Sequence, residues 1–299
     1  MLNDKLKNYL HLHFLVFIAG FTAILGELIT IGSIPIVWFR MLIAAIIMLI
    51  YFKFKRINFV VDFKIIFKFF IAGTIIALHW ITFFESIEQS NISIALAMFS
   101  TGAFFTSFIE PLFFKRRLIW YEILFGVIVV LGVWLITRTE LKYLNGILLG
   151  ISSAFFISLF SVINGQFVKK YSASVISFYE FIGGVLIISL FTIFFKDGFN
   201  VEFFNLSNSD WLYIVILGSI CTAYAFIAVV HIMKYISPYT VVLSYNLEPI
   251  YGIILAIILF PIKEKMSLEF YIGAFLIFSV VILNGILKNS KSLKRRITS

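Results

Sequence analysis

Apolar runs of roughly 20 residues recur along this chain, separated by short polar or basic stretches. A helix of that length crosses the ~30 Å hydrocarbon layer of a bilayer. The runs lack the alternation of barrel strands, which leaves helices as the structure able to satisfy the backbone in lipid. Composition agrees: 62% of the residues are hydrophobic and 13% charged, with a mean hydropathy of +1.06, against about 25% charged in soluble domains. The fold expected is an all-α integral membrane protein of ten transmembrane helices. The spans fall near 12–31, 34–53, 66–87, 91–113, 119–137, 144–168, 173–195, 211–233, 239–260 and 269–287. Turn residues such as Gly32-Ser33 and Ser237-Pro238 mark the shortest connections.

An even number of spans places both termini on one side. Of the 24 Lys and Arg, only Arg138, Lys142, Lys196, Lys263 and Lys265 fall on the far side, and Arg40 falls within a span. The positive-inside rule therefore makes both termini cytoplasmic. The net charge of +9 does not indicate nucleic acid, because the basic residues lie between and beyond apolar runs instead of on one face. The basic tail after Lys288 reads as a topology anchor, with anionic lipid recognition as the sharper alternative. The single cysteine, Cys221, excludes an internal disulfide and a multi-thiolate metal site. The run after the basic start is long, carries Glu27 and lacks a small-residue cleavage site, which argues against a cleaved signal peptide.

The two halves echo each other. Trp38-Phe39-Arg40-Met41 matches Phe178-Tyr179-Glu180-Phe181, Ala72-Gly73-Thr74-Ile75 matches Leu217-Gly218-Ser219-Ile220, and Asn91-Ile92-Ser93-Ile94 matches Ser237-Pro238-Tyr239-Thr240. Five spans per half would invert the second copy in the membrane, an arrangement that puts a binding site near the midplane between the copies.

Polar residues inside the spans point to that site. Glu27, near the outer end of span 1, and Arg40, in the outer part of span 2, could pair as a structural ion pair or form a gate or solute contact. Asn164 and Glu180 are their counterparts toward the cytoplasm. A second group lies near mid-span: His79, Trp80, Ser100, Thr101, Thr222, Tyr224, Tyr245, Asn246, Glu248, Pro249 and Tyr251. Tyr245, Glu248 and Tyr251 are spaced to share one helix stripe. Packed helix contacts are the plainer reading for the His and Tyr residues. For Glu248, an ionisable group at that depth, cavity lining is expected, and a broken helix is expected at its Pro249. Glu248 and His79 are the candidates to carry a coupling proton.

The other Glu-Pro pair, Glu110-Pro111, is not equivalent. Setting Lys115-Arg116-Arg117 against Lys263-Glu264-Lys265 places Glu248-Pro249 opposite Ser100-Thr101 and Glu110 opposite Ile258. Glu110 then reads as an inner-gate or helix-end residue near Lys115 and Arg116. Glu85-Ser86-Ile87-Glu88 reads as an exposed outer helix end. Spans 5 and 10, nearly free of mid-span charge, are expected to face lipid or a partner subunit. The chain has no G-x-S-x-G, H-E-x-x-H or Walker loop. His11 and His13 lack the spacing of a helical metal pair. These points exclude an ATP-driven pump and argue against an enzyme, a metal site or a cofactor.

The chain resembles the EamA-like branch of the drug/metabolite transporter superfamily over nearly its whole length. The resemblance is carried by Trp38-Phe39-Arg40, Ala77-Leu78-His79-Trp80, Phe99-Ser100-Thr101 onward to Lys115-Arg116-Arg117-Leu118, Asn246-Leu247-Glu248-Pro249-Ile250-Tyr251 and Lys263-Glu264-Lys265. The Gly-Glu-Arg-Leu-like turn that usually ends helices 4 and 9 is eroded here, and its first copy lacks the acid. The resemblance implies two inverted five-helix repeats, residues 1–140 and 141–299, around a central cavity. It also implies secondary transport of a small organic solute (an amino acid, nucleotide-like or drug-like molecule) by alternating access; export is the direction expected here, across a bacterial inner membrane. The expected partners are that solute, membrane lipid and, from the depth and residue type of Glu248 and His79 alone, a coupling proton, with no nucleic acid, in a monomer or homodimer. A passive facilitator of the same fold, or a non-transporting accessory protein or enzyme, are the alternatives.

Overall fold

Short polar caps between the apolar runs set where the helices begin. A computed structural model describes residues 4–115, 120–196, 198–232, 235, 241, 244–245 and 247–297. The helices are α1 (Asp4–Leu28), α2 (Ser33–Lys55), α3 (Phe63–Glu88), α4 (Ile92–Phe99), α5 (Gly102–Phe114), α6 (Trp120–Thr139), α7 (Leu144–Phe167), α8 (Ala173–Phe195), α9 (Val201–Phe204), α10 (Asn208–Gly218), α11 (Ala225–Ile232), α12 (Glu248–Leu259) and α13 (Leu268–Ile297). A π-helical segment, Ser219–Tyr224, joins α10 to α11. Asp62 starts α3 by accepting from the Lys64 N–H at 2.7 Å. Ser207 and Asp210 form a reciprocal capping box on α10.

Among the described residues, eight stretches are long and apolar enough to cross a membrane: Leu6–Leu28, Ser33–Lys55, Phe63–Glu88, Ile92–Phe114, Trp120–Thr139, Leu141–Phe167, Ala173–Phe195 and Asn208–Val229. Two shorter apolar helices, Glu248–Leu259 and Leu268–Asn284, fall where spans 9 and 10 were expected. Within the expected ninth span, residues 239–240, 242–243 and Asn246 lie outside the described residues.

Helix packing follows the repeat. α3 packs on α7 and α8, while α10 and the π segment pack on α1 and α2. α4 and α5 pack on α7, α12 packs on α1, and α2 packs on α8. The crossings are close where glycine removes the side chain. A Cβ on Gly73 would lie 2.1 Å from the Glu180 carbonyl oxygen, and one on Gly218 would lie 3.2 Å from the Arg40 carbonyl oxygen. These pairs are the residues that the two sequence matches set in register. α6 and α13 pack on each other and expose apolar side chains such as Val130, Trp134, Ile272 and Phe275 on the outside.

Both Glu-Pro sites depart from a simple kink. Pro249 stands in the first turn of α12, where a missing N–H costs no helix bond, so it begins a helix. Pro111 lies inside α5. The break in the first half falls instead at Ser100-Thr101, between α4 and α5. This is the pair that the sequence sets opposite Glu248-Pro249. Hydroxyls help close that break: Ser100 donates to the Leu96 carbonyl at 2.9 Å and Thr101 to the Met98 carbonyl at 2.7 Å. The expected exposed helix end at 85–88 is corrected: Ser86 and Ile87 are buried, and Ser86 donates to the Gly146 carbonyl of α7 at 2.7 Å.

Candidate solute site

Arg40 organises the polar centre. Its neighbours Trp38 and Phe39 are taken up elsewhere, Trp38 donating to the Ser189 hydroxyl at 2.9 Å and Phe39 packing on Phe203 and Trp211. Helical rotation turns Arg40 to another face, where it is buried. Its guanidinium lies 3.9 Å from the Trp80 ring centroid and 5.9 Å from that of Phe84, an arrangement that stabilises the cation away from water. Its Nε donates to the Thr222 hydroxyl at 2.8 Å. Thr222 in turn donates to the Leu217 carbonyl at 2.7 Å, five residues back. The π-helical turn therefore aims the hydroxyl at Arg40, and such turns are frequent at functional sites.

Glu248, partly buried at the start of α12, lies close enough to Arg40 for their charges to act on each other. Tyr245 and Cys221 also lie in this electrostatic neighbourhood. Among the described residues, no carboxylate lies within ion-pairing distance of Arg40, and its buried Nη1 has no hydrogen-bond partner.

The structure places the other expected residues as follows. Trp80 joins the centre through its ring. His79 is buried near Arg40, but its Nδ1 meets the Ser153 carbonyl at 3.0 Å and the Ser153 hydroxyl at 2.8 Å, across to α7. Ser100 is buried at the α4–α5 break. Tyr224 is 41% exposed and meets His11 Nε2 of α1 at 2.7 Å, away from Arg40. His79 and Tyr224, which stand in register when Gly73 is set against Gly218, thus each reach the first span of the opposite half. Tyr251 packs edge-on against Phe17 of α1. Asn246 lies outside the described residues. Glu110 is partly buried in the later part of α5.

The expected Glu27–Arg40 pair is corrected. Glu27 pairs with Lys263 at 2.5 Å, beside a cleft of about 180 Å³ lined also by Thr30, Ser33, Phe84 and Glu88. Rotation around the helices, which span depth does not reveal, sends the two side chains to different faces. Their counterparts do meet: Asn164 donates to Glu180 Oε1 at 2.8 Å, and Glu180 is fully buried, its Oε2 without a partner among the described residues. Sequence reading placed no site role on Phe84 or Cys221, which contribute a ring and a thiol and carry no motif. Glu264 was quoted only within a motif. It accepts from the Ile92 and Ser93 N–H groups at 3.0 and 2.9 Å, capping α4 with a buried carboxylate.

Repeated apolar helices, matched crossings and a buried polar centre define a multi-pass membrane protein built from two repeats. The EamA-like transporter family matches the chain twice, over residues 7–138 and 144–286, and the chain belongs to that family. The uncharacterized transporter YdfC of Bacillus subtilis (strain 168) is 25% identical over 222 residues, covering 73% of this chain and 71% of that protein. A solved protein crystal structure matches with a TM-score of 0.63 at 16% identity, covering 95% of this chain and 99% of that one. This last likeness concerns the fold.

Proposed function

We propose that this protein is a secondary transporter that exports a small organic solute by alternating access, with Glu248 exchanging a coupling proton. The observation that carries the reading is the Arg40–Glu248 centre, two opposite charges set beside a π turn and a helix start. Ionisable groups inside spans mark solute and proton pathways, and interrupted helices at the repeat interface are where transporters bind cargo. The paired crossings Gly73–Glu180 and Gly218–Arg40 support two halves related by inversion, residues 1–140 and 141–299, with ten spans and both termini cytoplasmic in a bacterial inner membrane. The Lys263–Glu27 contact supports an outer side that is closed here, with Glu180–Asn164 and Glu110 on the inner side. The test compares metabolites of cells with and without the protein, then follows the solutes that change in vesicles containing the purified chain. Net movement against a solute gradient under an imposed pH gradient is expected. Movement that only runs downhill would leave a passive facilitator, and none at all would remove the transport reading.

A further inference from the structure

We propose that the solute carries a single carboxylate, with the Arg40 Nη1 edge as its anchor and the Trp80 and Phe84 rings beside it. This inference rests on the transport reading of the same site and names the solute class. Arg40 is 4% exposed, yet among the described residues only its Nε has a hydrogen-bond acceptor, Thr222, and its Nη1 is buried without one. A buried charged donor without an acceptor is costly, so the arrangement suits an acceptor that arrives from outside the chain. The Trp80 face and the Thr222 bond hold the plane of the guanidinium, and a guanidinium with an unused donor suits the planar pairing that arginine makes with carboxylates.

The charge count selects among anions. Arg40 is the one guanidinium or ammonium at this centre among the described residues. The groups acting on it electrostatically are Cys221 and Glu248, with His79 also within reach. One cation already facing Glu248 suits a monoanion. A phosphate dianion would need further donors of positive charge, and a cationic solute would meet Arg40 itself. Glu248, near but not bonded to Arg40, serves as the resident counter-charge that a solute carboxylate replaces.

The experiment loads vesicles containing the full chain with a deproteinised cell extract. Mass spectrometry then identifies solutes that leave faster than from protein-free vesicles. Monocarboxylates are expected to dominate, and Arg40→Gln is expected to slow them at least tenfold. Arg40→Lys, which keeps the charge, should retain part of the rate at a raised KM. Thr222→Val should raise KM for the same solutes with little change in the limiting rate. Matching gel-filtration profiles and melting temperatures for the variants establish folding. Amines, neutral solutes or phosphorylated compounds leaving instead would overturn the carboxylate assignment while preserving transport. So would carboxylate exit unchanged by Arg40→Gln. If nothing leaves, the transport reading fails, and this inference with it.

Discussion

Gly73 in α3 lies against the backbone of Glu180 in α8, so close that a Cβ on Gly73 would stand 2.1 Å from the Glu180 carbonyl oxygen. No side-chain rotation relieves a contact with backbone, so Gly73→Ala must push the helices apart. Overpacking costs about 1–3 kcal/mol, more than the roughly 1 kcal/mol that alanine gains over glycine in a helix. A lowered melting temperature in detergent is expected. Gly218→Ala, 3.2 Å from the Arg40 carbonyl oxygen and 2.8 Å from Ile43 Cβ, should be milder. Gly32→Ala, which meets open space, should leave the melting temperature within a degree or two of the parent. Equal melting temperatures for all three variants would contradict the crossing.

The turn after α12 separates a structural carboxylate from a surface ion pair. Glu264 is buried and satisfies two N–H groups at the start of α4. Glu264→Ala should cost about 1.5–3 kcal/mol, the range for hydrogen bonds to charged groups. Lys263 is bonded to Glu27 but has a side chain 42% exposed, and Lys263→Gln should change stability by less than about 1 kcal/mol. Chemical unfolding of the two variants measures the contrast, and a reversed order would refute it.

If the outer side must open during the cycle, the contact between Glu27 and Lys263 must break. A Glu27→Cys, Lys263→Cys double variant, bridged by a bifunctional methanethiosulfonate through two mixed disulfides, should lose transport of the solutes identified in vesicles. Reduction should restore it. Undiminished transport by the cross-linked protein would mean that this face stays closed throughout.

Much of the fold was legible because its signals are local or one-dimensional. Apolar run length located the helices, and the basic ends of spans 4 and 9 set Ser100-Thr101 opposite Glu248-Pro249, where one helix breaks and another begins. The site was only half legible, because position in a span gives depth but not direction. Arg40 and Glu27 were placed on one outer face, whereas Arg40 turns to Trp80 and Thr222 while Glu27 turns to Lys263. Tyr224 sits two residues beyond Thr222, yet faces His11. Tyr251 shares spacing with Glu248 but packs on Phe17. The π turn that directs Thr222, whose hydroxyl bonds the carbonyl five residues back, was announced by no sequence pattern.

The central claim is that Glu248, set against Arg40, links solute movement to protons. Vesicles carrying the full chain, loaded with the identified solute and a trapped pH indicator, measure both fluxes at once. For the parent protein, acidifying the outside should speed solute exit and bring protons inward with it. Glu248→Gln should still exchange solute across the membrane, but without proton entry and without response to the pH gradient. A Glu248→Gln protein that responds to the gradient like its parent would contradict the account.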